Sequence, residues 1–212
     1  MFSHDSIMKK GLFIIFEGID GCGKSTQTLQ TKEWLEMNGY QCVITQEPTE
    51  SEIGQLIRKS IRGDTCEFSS LTQILLFSAD RMQHVDWIKS QIDQGICVLC
   101  DRFIDSTYAY QVETQEQKRI YAIIEEVVLE MVKPSITFYL DLPVINAISR
   151  IKSRNTNDCY EKKEFLEIVS TRYAKKIGMY PDRYTVISSM KSVEIVFNQI
   201  KKMIKCFIGG AS

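Results

Sequence analysis

The chain has 212 residues, with 26 Lys plus Arg against 27 Asp plus Glu and a formal net charge of −1. That balance leaves no basic face or stripe, which excludes nucleic acid as the expected partner. A hydrophobic fraction of 44% and a charged fraction of 25% read as one soluble globular domain over 1–212, and no apolar run is long enough for a membrane span.

The polar start, MFSHDSIMKK, precedes only a short apolar run, Leu12 to Phe16. Neither suits a signal peptide, so the expected location is cytoplasmic. GLFIIF (11–16) reads as the first buried strand. A helix follows over 24–38 and stops at Asn38-Gly39. QCVITQ (41–46) is the second strand. Residues 67–93 carry Leu71, Ile74, Leu75, Ala79, Met82, Val85 and Ile92 at helical spacing, ending at Gly95. ICVLC (96–100) is the third strand. A C-x-x-C spacing inside it is formal only, because a strand sends residues 97 and 100 to opposite faces. A helix over 116–132 ends before Pro134. SITFYLDL (135–142) and YTVIS (184–188) complete the strands. Helices are expected over 143–154, 161–178 and 191–207, with IGGAS frayed at the end. Apolar strands without alternation, separated by helices, predict an α/β fold with a five-stranded parallel sheet between helical layers.

The first strand runs into GIDGCGKST (18–26), which fits the phosphate-loop pattern G-x-x-x-x-G-K-[ST]. Gly18, Ile19, Asp20, Gly21, Cys22, Gly23, Lys24, Ser25 and Thr26 are therefore expected to wrap a nucleoside triphosphate. Backbone N–H groups and a helix N-terminus would face the anion. Lys24 would reach the outer phosphates and Ser25 would hold Mg²⁺. Ligands of open α/β sheets sit beyond the carboxyl ends of the strands. There the chain has Glu17, then Gln46-Glu47-Pro48-Thr49, then Asp101-Arg102-Phe103. Asp101 is expected to support the Mg²⁺ shell. Arg102 is either a cation aimed into the crevice or a structural ion pair. No N-K-x-D sequence occurs, which argues against a GTPase. Arg58, Arg81, Arg102, Arg150 and Arg154 suit two anionic substrates, as in a nucleoside monophosphate kinase.

FEGIDGCGKST, the EPT segment leading to Ile53-Gly54 and Arg58, LLFSADRMQHV, DRFIDSTYAYQ and KPSITFYLDL occur in this order. With them the chain resembles the thymidylate kinases, P-loop enzymes of three-layer α/β/α fold that make dTDP from dTMP and ATP with Mg²⁺. The resemblance implies that Asp20 contacts the acceptor's sugar hydroxyl. It implies that Arg58 and Arg102 hold the dTMP phosphate, with Glu47 and Pro48 part of the same acceptor site. Phe77 would stack on thymine, although it equally suits a core, and Arg81 would donate to a base carbonyl. Ser106, Thr107 and Gln111 would line the base pocket, and Tyr110 would sit where a ribose 2′-hydroxyl clashes. Some members carry a basic residue at the place of Gly21. Those lacking it are similar to the bacterial type, which supplies that charge from a short helical lid. The lid falls here at about 150–163. Arg150 resembles the residue that packs on adenine, and Arg154 is the implied cation on the transferring phosphate. Both also suit a solvated basic helix end. Family members are commonly homodimers.

Three positions depart from the family pattern. The lid has Asp158-Cys159-Tyr160-Glu161 where arginine is usual at 159, Gln46 stands where arginine often precedes Glu47, and Val112-Glu113-Thr114 replaces a glycine-rich stretch. The alternatives to a dTMP kinase are a kinase of another deoxynucleotide, such as dUMP, and a non-catalytic nucleotide-binding relative.

Overall fold

The computed structural model describes residues 11–152 and 162–210. Five parallel strands form one sheet: β1 (Phe13–Glu17), β2 (Cys42–Gln46), β3 (Cys97–Asp101), β4 (Ile136–Asp141) and β5 (Thr185–Ser188). Their order is β2-β3-β1-β4-β5. β1 is buried along its whole length, as expected of a central strand covered on both faces. β2, at an edge, has only Cys42 fully buried, with Ile44 and Gln46 exposed. Every strand foreseen from the sequence is present, with ends within a residue or two.

The pleat divides the core in two. Ile14, Phe16, Cys97, Leu99, Phe138 and Leu140 pack with Leu35 of α1 (Lys24–Met37) and with Val196, Ile200 and Ile204 of α8 (Val193–Gly210). Phe13, Ile15, Val98 and Cys100 pack with Ile74, Val85 and Ile88 of α3 (Ser70–Asp93) and with Tyr121 and Val128 of α5 (Gln115–Met131). Cys97 and Cys100 thus belong to opposite layers, as the strand geometry requires.

Two further helices escaped the sequence reading. α2 (Glu52–Arg62) is capped by Ser51, whose hydroxyl accepts from the Gly54 N–H at 3.0 Å. α4 (Ile104–Gln111) is buried at every residue and shows no amphipathic stripe, so it gave no periodic signal. Thr114, in the stretch that replaces the family's glycines, caps α5: its hydroxyl accepts from Gln117 N–H, and the Gln117 side chain accepts from Thr114 N–H. α6 (Val144–Lys152) and α7 (Lys163–Met179) flank residues outside the description. α8 continues through Gly209 and Gly210, beyond the 207 expected, because its buried face at Val196, Ile200 and Ile204 holds it against α1.

The connection after β1 leads to β2 on one side, and the connection after β3 crosses to β4 on the other. The order therefore reverses between β1 and β3. A crevice opens at the carboxyl ends of that pair, where α/β sheets bind ligands.

Candidate active site

A cavity of about 310 Å³ occupies this crevice. The phosphate loop contributes Asp20, Gly21, Gly23, Lys24, Ser25 and Thr26 to its wall. Glu47, Pro48 and Arg58 come from the β2–α2 connection and α2, and Phe77 and Arg81 from α3. Asp101, Arg102, Ser106, Tyr110 and Gln111 come from β3 and α4. Gly18, Ile19 and Cys22 are not among the lining residues; Ile19 and Cys22 are buried behind the loop. Thr107 is buried too, and bonds Arg81 instead of lining the space. Gln46, Ile61 and Arg62 complete the lining; Ile61 and Arg62 were not foreseen. Arg62 lies one helical turn beyond Arg58, so the helical period was the available signal.

The phosphate loop is tightly seated. Lys24 is buried, and its Nζ donates to Gly18 O at 3.0 Å and to Ile19 O at 3.1 Å. Gly21 has φ +80, and a Cβ there would lie 2.7 Å from Ala147 O of α6. Position 21 therefore admits no side chain while α6 keeps its place. Arg150, also on α6, donates to Gly21 O at 3.4 Å and to Ser189 O at 2.9 Å. It stands at the flank of the loop, outside the cavity lining. Arg154 and Cys159, with most of the expected lid, lie outside the described residues.

Ser25 Oγ donates to Asp101 Oδ2 at 2.7 Å. Both are hard oxygen donors at the cavity, which fits an Mg²⁺ site. No cluster of three or more His, Cys, Asp or Glu that could hold a metal occurs among the described residues. An ion here would draw most of its ligands from nucleotide phosphates and water.

Arg102 and Asp20 meet at the cavity wall. Arg102 Nη2 donates to Asp20 Oδ1 at 2.5 Å and to Tyr110 Oη at 3.1 Å. Tyr110 Oη donates to Asp20 Oδ2 at 2.9 Å. Burial alone would raise the Asp20 carboxyl, but Arg102 and then Lys24 outweigh it and hold it down at about 2. Asp20 is thus an anion throughout the neutral range. Burial pushes the Tyr110 hydroxyl well up, with Arg102 opposing, so Tyr110 stays a donor.

Behind this pair lies Glu17, fully buried at the end of β1. Its Oε1 accepts from Phe103 N–H at 2.8 Å. Its Oε2 accepts from Ser106 Oγ and Tyr173 Oη, both at 2.7 Å. Burial, then the neighbouring Asp105 carboxylate, raise Glu17 to about 7 against the lowering by Tyr173, Arg102 and Ser106.

The α3 side is built on a second buried carboxylate. Arg81 Nε and Nη2 lie 2.8 and 2.6 Å from Glu47 Oε2. Nη2 also donates to Phe103 O at 3.2 Å and Thr107 Oγ1 at 3.0 Å. Arg81 Nη1 is buried with no partner among the described residues. Arg81 itself is among the residues that line the cavity. His84 Nδ1 lies 2.9 Å from Glu47 Oε1, and its Nε2 lies 2.7 Å from Thr45 Oγ1. Phe77 is buried, lines the cavity and joins neither main core cluster.

Asp80 ties the β2–α2 connection to α3. It accepts from Thr49 N–H at 2.7 Å and from Ser51 Oγ at 2.6 Å. A Cβ on Gly54 would lie 2.1 Å from Thr49 O, so only glycine lets α2 come this close. That approach sets Arg58, which donates to Pro48 O and pairs with Glu50 at 3.1 Å. Asp80 and His84 were missed by sequence reasoning. Their signal was available: polar residues at helix positions whose spacing faces the core.

A family model described as "Thymidylate kinase" matches residues 16–200. The chain is 38% identical to a "Probable thymidylate kinase" of Thermococcus kodakarensis, over 93% of this chain and 99% of that one. It is 38% identical to a "Thymidylate kinase" of Prochlorococcus marinus (strain NATL1A), over 92% and 99%. It is 31% identical to a "Thymidylate kinase" of Caldanaerobacter subterraneus, over 95% and 99%. No helix among the described residues is long and apolar enough to cross a membrane.

Proposed function

The chain belongs to the thymidylate kinase family and phosphorylates dTMP with ATP, and we propose that the cavity between β1 and β3 is where the two substrates meet. The single observation that carries this reading is Arg81. A buried guanidinium with one nitrogen unpartnered among the described residues, in the same cavity as a phosphate loop, suits a neutral base presented beside a phosphate.

In this reading the loop around Gly18 to Thr26 holds ATP, with Arg150 beside it for adenine. Arg58 and Arg102 hold the dTMP phosphate by charge-assisted bonds. Phe77 stacks on thymine, Arg81 donates to it, and Ser106 and Gln111 shape the base pocket with Glu47 and Pro48, while Thr107 acts from behind by holding Arg81. Tyr110 presses on the sugar edge and selects deoxy substrates. Asp20, an anion paired to Arg102, contacts the acceptor's sugar and keeps the acceptor beside the donor. Lys24 and Arg102, with Arg154 from beyond the described residues, neutralise the charge that spreads over the transferring group. Mg²⁺, when bound, would be held by Ser25 with Asp101 in support and would neutralise phosphate charge.

The test is a coupled assay with ATP, Mg²⁺ and a panel of dTMP, dUMP, TMP with a ribose sugar, and purine monophosphates. Turnover of dTMP at a kcat/KM about a hundredfold above that of the ribose analogue is the expected result. Equal use of both sugars would remove Tyr110 from the selectivity argument. No turnover of dTMP with intact ATP binding would sink the reading.

The reading extends to a homodimer in the cytoplasm over a single domain, 1–212. Exposed Leu56 of α2 and Leu75 and Trp87 of α3 support the dimer, and the free thiols among the described residues suit a reducing compartment. Sedimentation velocity is expected to return twice the chain mass, and the single mass for Leu75→Glu. A parent protein that sediments as one chain at micromolar concentration refutes the dimer.

A further inference from the structure

Arg102 has φ +72, the one positive φ outside glycine among the described residues. A side chain in the left-handed region is strained and persists only where its surroundings fix it. Two consecutive backbone N–H groups do the fixing. Arg102 N–H donates to Phe16 O at 3.0 Å, which merely continues the strand ladder. Phe103 N–H has left the ladder and is taken by the Glu17 carboxyl at 2.8 Å.

The same carboxyl acts on the guanidinium. Ser106 Oγ donates to Glu17 and accepts from Arg102 Nη1 at 3.2 Å. Tyr173 of α7 closes a triangle, 2.7 Å from Glu17 Oε2 and 2.9 Å from Ser106 Oγ. One carboxyl therefore holds the backbone just after Arg102, a hydroxyl bonded to its guanidinium, and the helix α7 that packs against α4.

We propose that Glu17 is a positioning residue for the acceptor phosphate. By bonding Phe103 N–H and Ser106 together, it fixes the kinked backbone of Arg102 and aims its guanidinium at the dTMP phosphate. The proposal rests on the reading of Arg102 as a phosphate-binding residue. What matters is reach: the carboxyl must span the backbone N–H and the Ser106 hydroxyl at once. Glutamine keeps that reach, accepting from Phe103 N–H and donating to Ser106. Aspartate keeps the charge and loses the reach by one methylene.

The experiment is steady-state kinetics on the full chain for Glu17→Asp, Glu17→Gln and Arg102→Ala, with melting temperatures recorded. Glu17→Asp is expected to raise the dTMP KM about tenfold, with the ATP KM changed by less than about twofold. Glu17→Gln is expected to stay within about threefold of the parent for both substrates. A merely structural role lowers the melting temperature and moves both substrates together. Glu17→Asp with an unchanged dTMP KM, or with both KM values raised alike, overturns the proposal. Arg102→Ala separates the two layers of the argument: an unchanged dTMP KM there refutes the reading of Arg102 itself, while a large rise with no effect of Glu17→Asp refutes positioning alone. Should Glu17→Asp not fold, Tyr173→Phe gives the same split at about threefold, and its absence there overturns the proposal.

Discussion

Lys24→Ala is expected to lower kcat by about three orders of magnitude while leaving the protein folded. The side chain is buried, yet among the described residues the oxygens hydrogen-bonded to its Nζ are loop carbonyls, Gly18 O and Ile19 O. Carbonyl oxygens stabilise an ammonium without neutralising it, so the full charge remains available to a phosphate. Alanine removes that charge and a small packing volume, and it cuts no helix bond. It also removes one of the cations that hold the Asp20 carboxyl at about 2. Arg102 remains and keeps Asp20 ionised, so the loss of rate belongs to the transfer itself. Single-turnover kinetics with saturating ATP check this. An alanine variant within about tenfold of the parent would falsify the assignment of Lys24 to the transferring phosphate.

Arg81→Ala has two effects, and they separate. It strands Glu47, a buried carboxylate whose partner at 2.6 Å has gone. Breaking one side of a buried ion pair costs about 3–5 kcal/mol, so the melting temperature falls clearly. It also removes the guanidinium proposed to donate to the base, whose Nη1 has no partner among the described residues, so the dTMP KM is expected to rise about a hundredfold. A second change, Glu47→Gln, distinguishes the two. It neutralises the stranded charge, and His84 and Thr45 can still bond around it. The double variant is expected to recover stability but not dTMP recognition. If Arg81→Ala leaves the dTMP KM unchanged, the base pocket is assigned to the wrong helix.

The sheet was legible because central parallel strands are continuous apolar runs, and β1, β3 and β4 have little else in them. The phosphate loop was legible because its chemistry needs fixed residue types at fixed spacing. α4 was not, since a helix buried on all sides has no stripe to count. Asp80 and His84 show in the sequence as polar residues on the buried face of α3, but not with whom they pair: their partners lie at 45–51, and only the fold brings those in. Glu17 was seen as a strand end and given no task. What gives it one is the kink at Arg102, a backbone conformation that no residue type announces unless it is glycine.

The tight space at Gly21 also limits how this chain could be re-engineered. A Cβ at position 21 would meet Ala147 O at 2.7 Å and Ile151 at 3.2 Å, at a φ of +80 that side chains rarely adopt. A basic residue placed there to supply positive charge from the loop is therefore expected to displace the loop or α6 and to lower the melting temperature. Adding a cation at position 21 means redesigning the packing of α6 along with it.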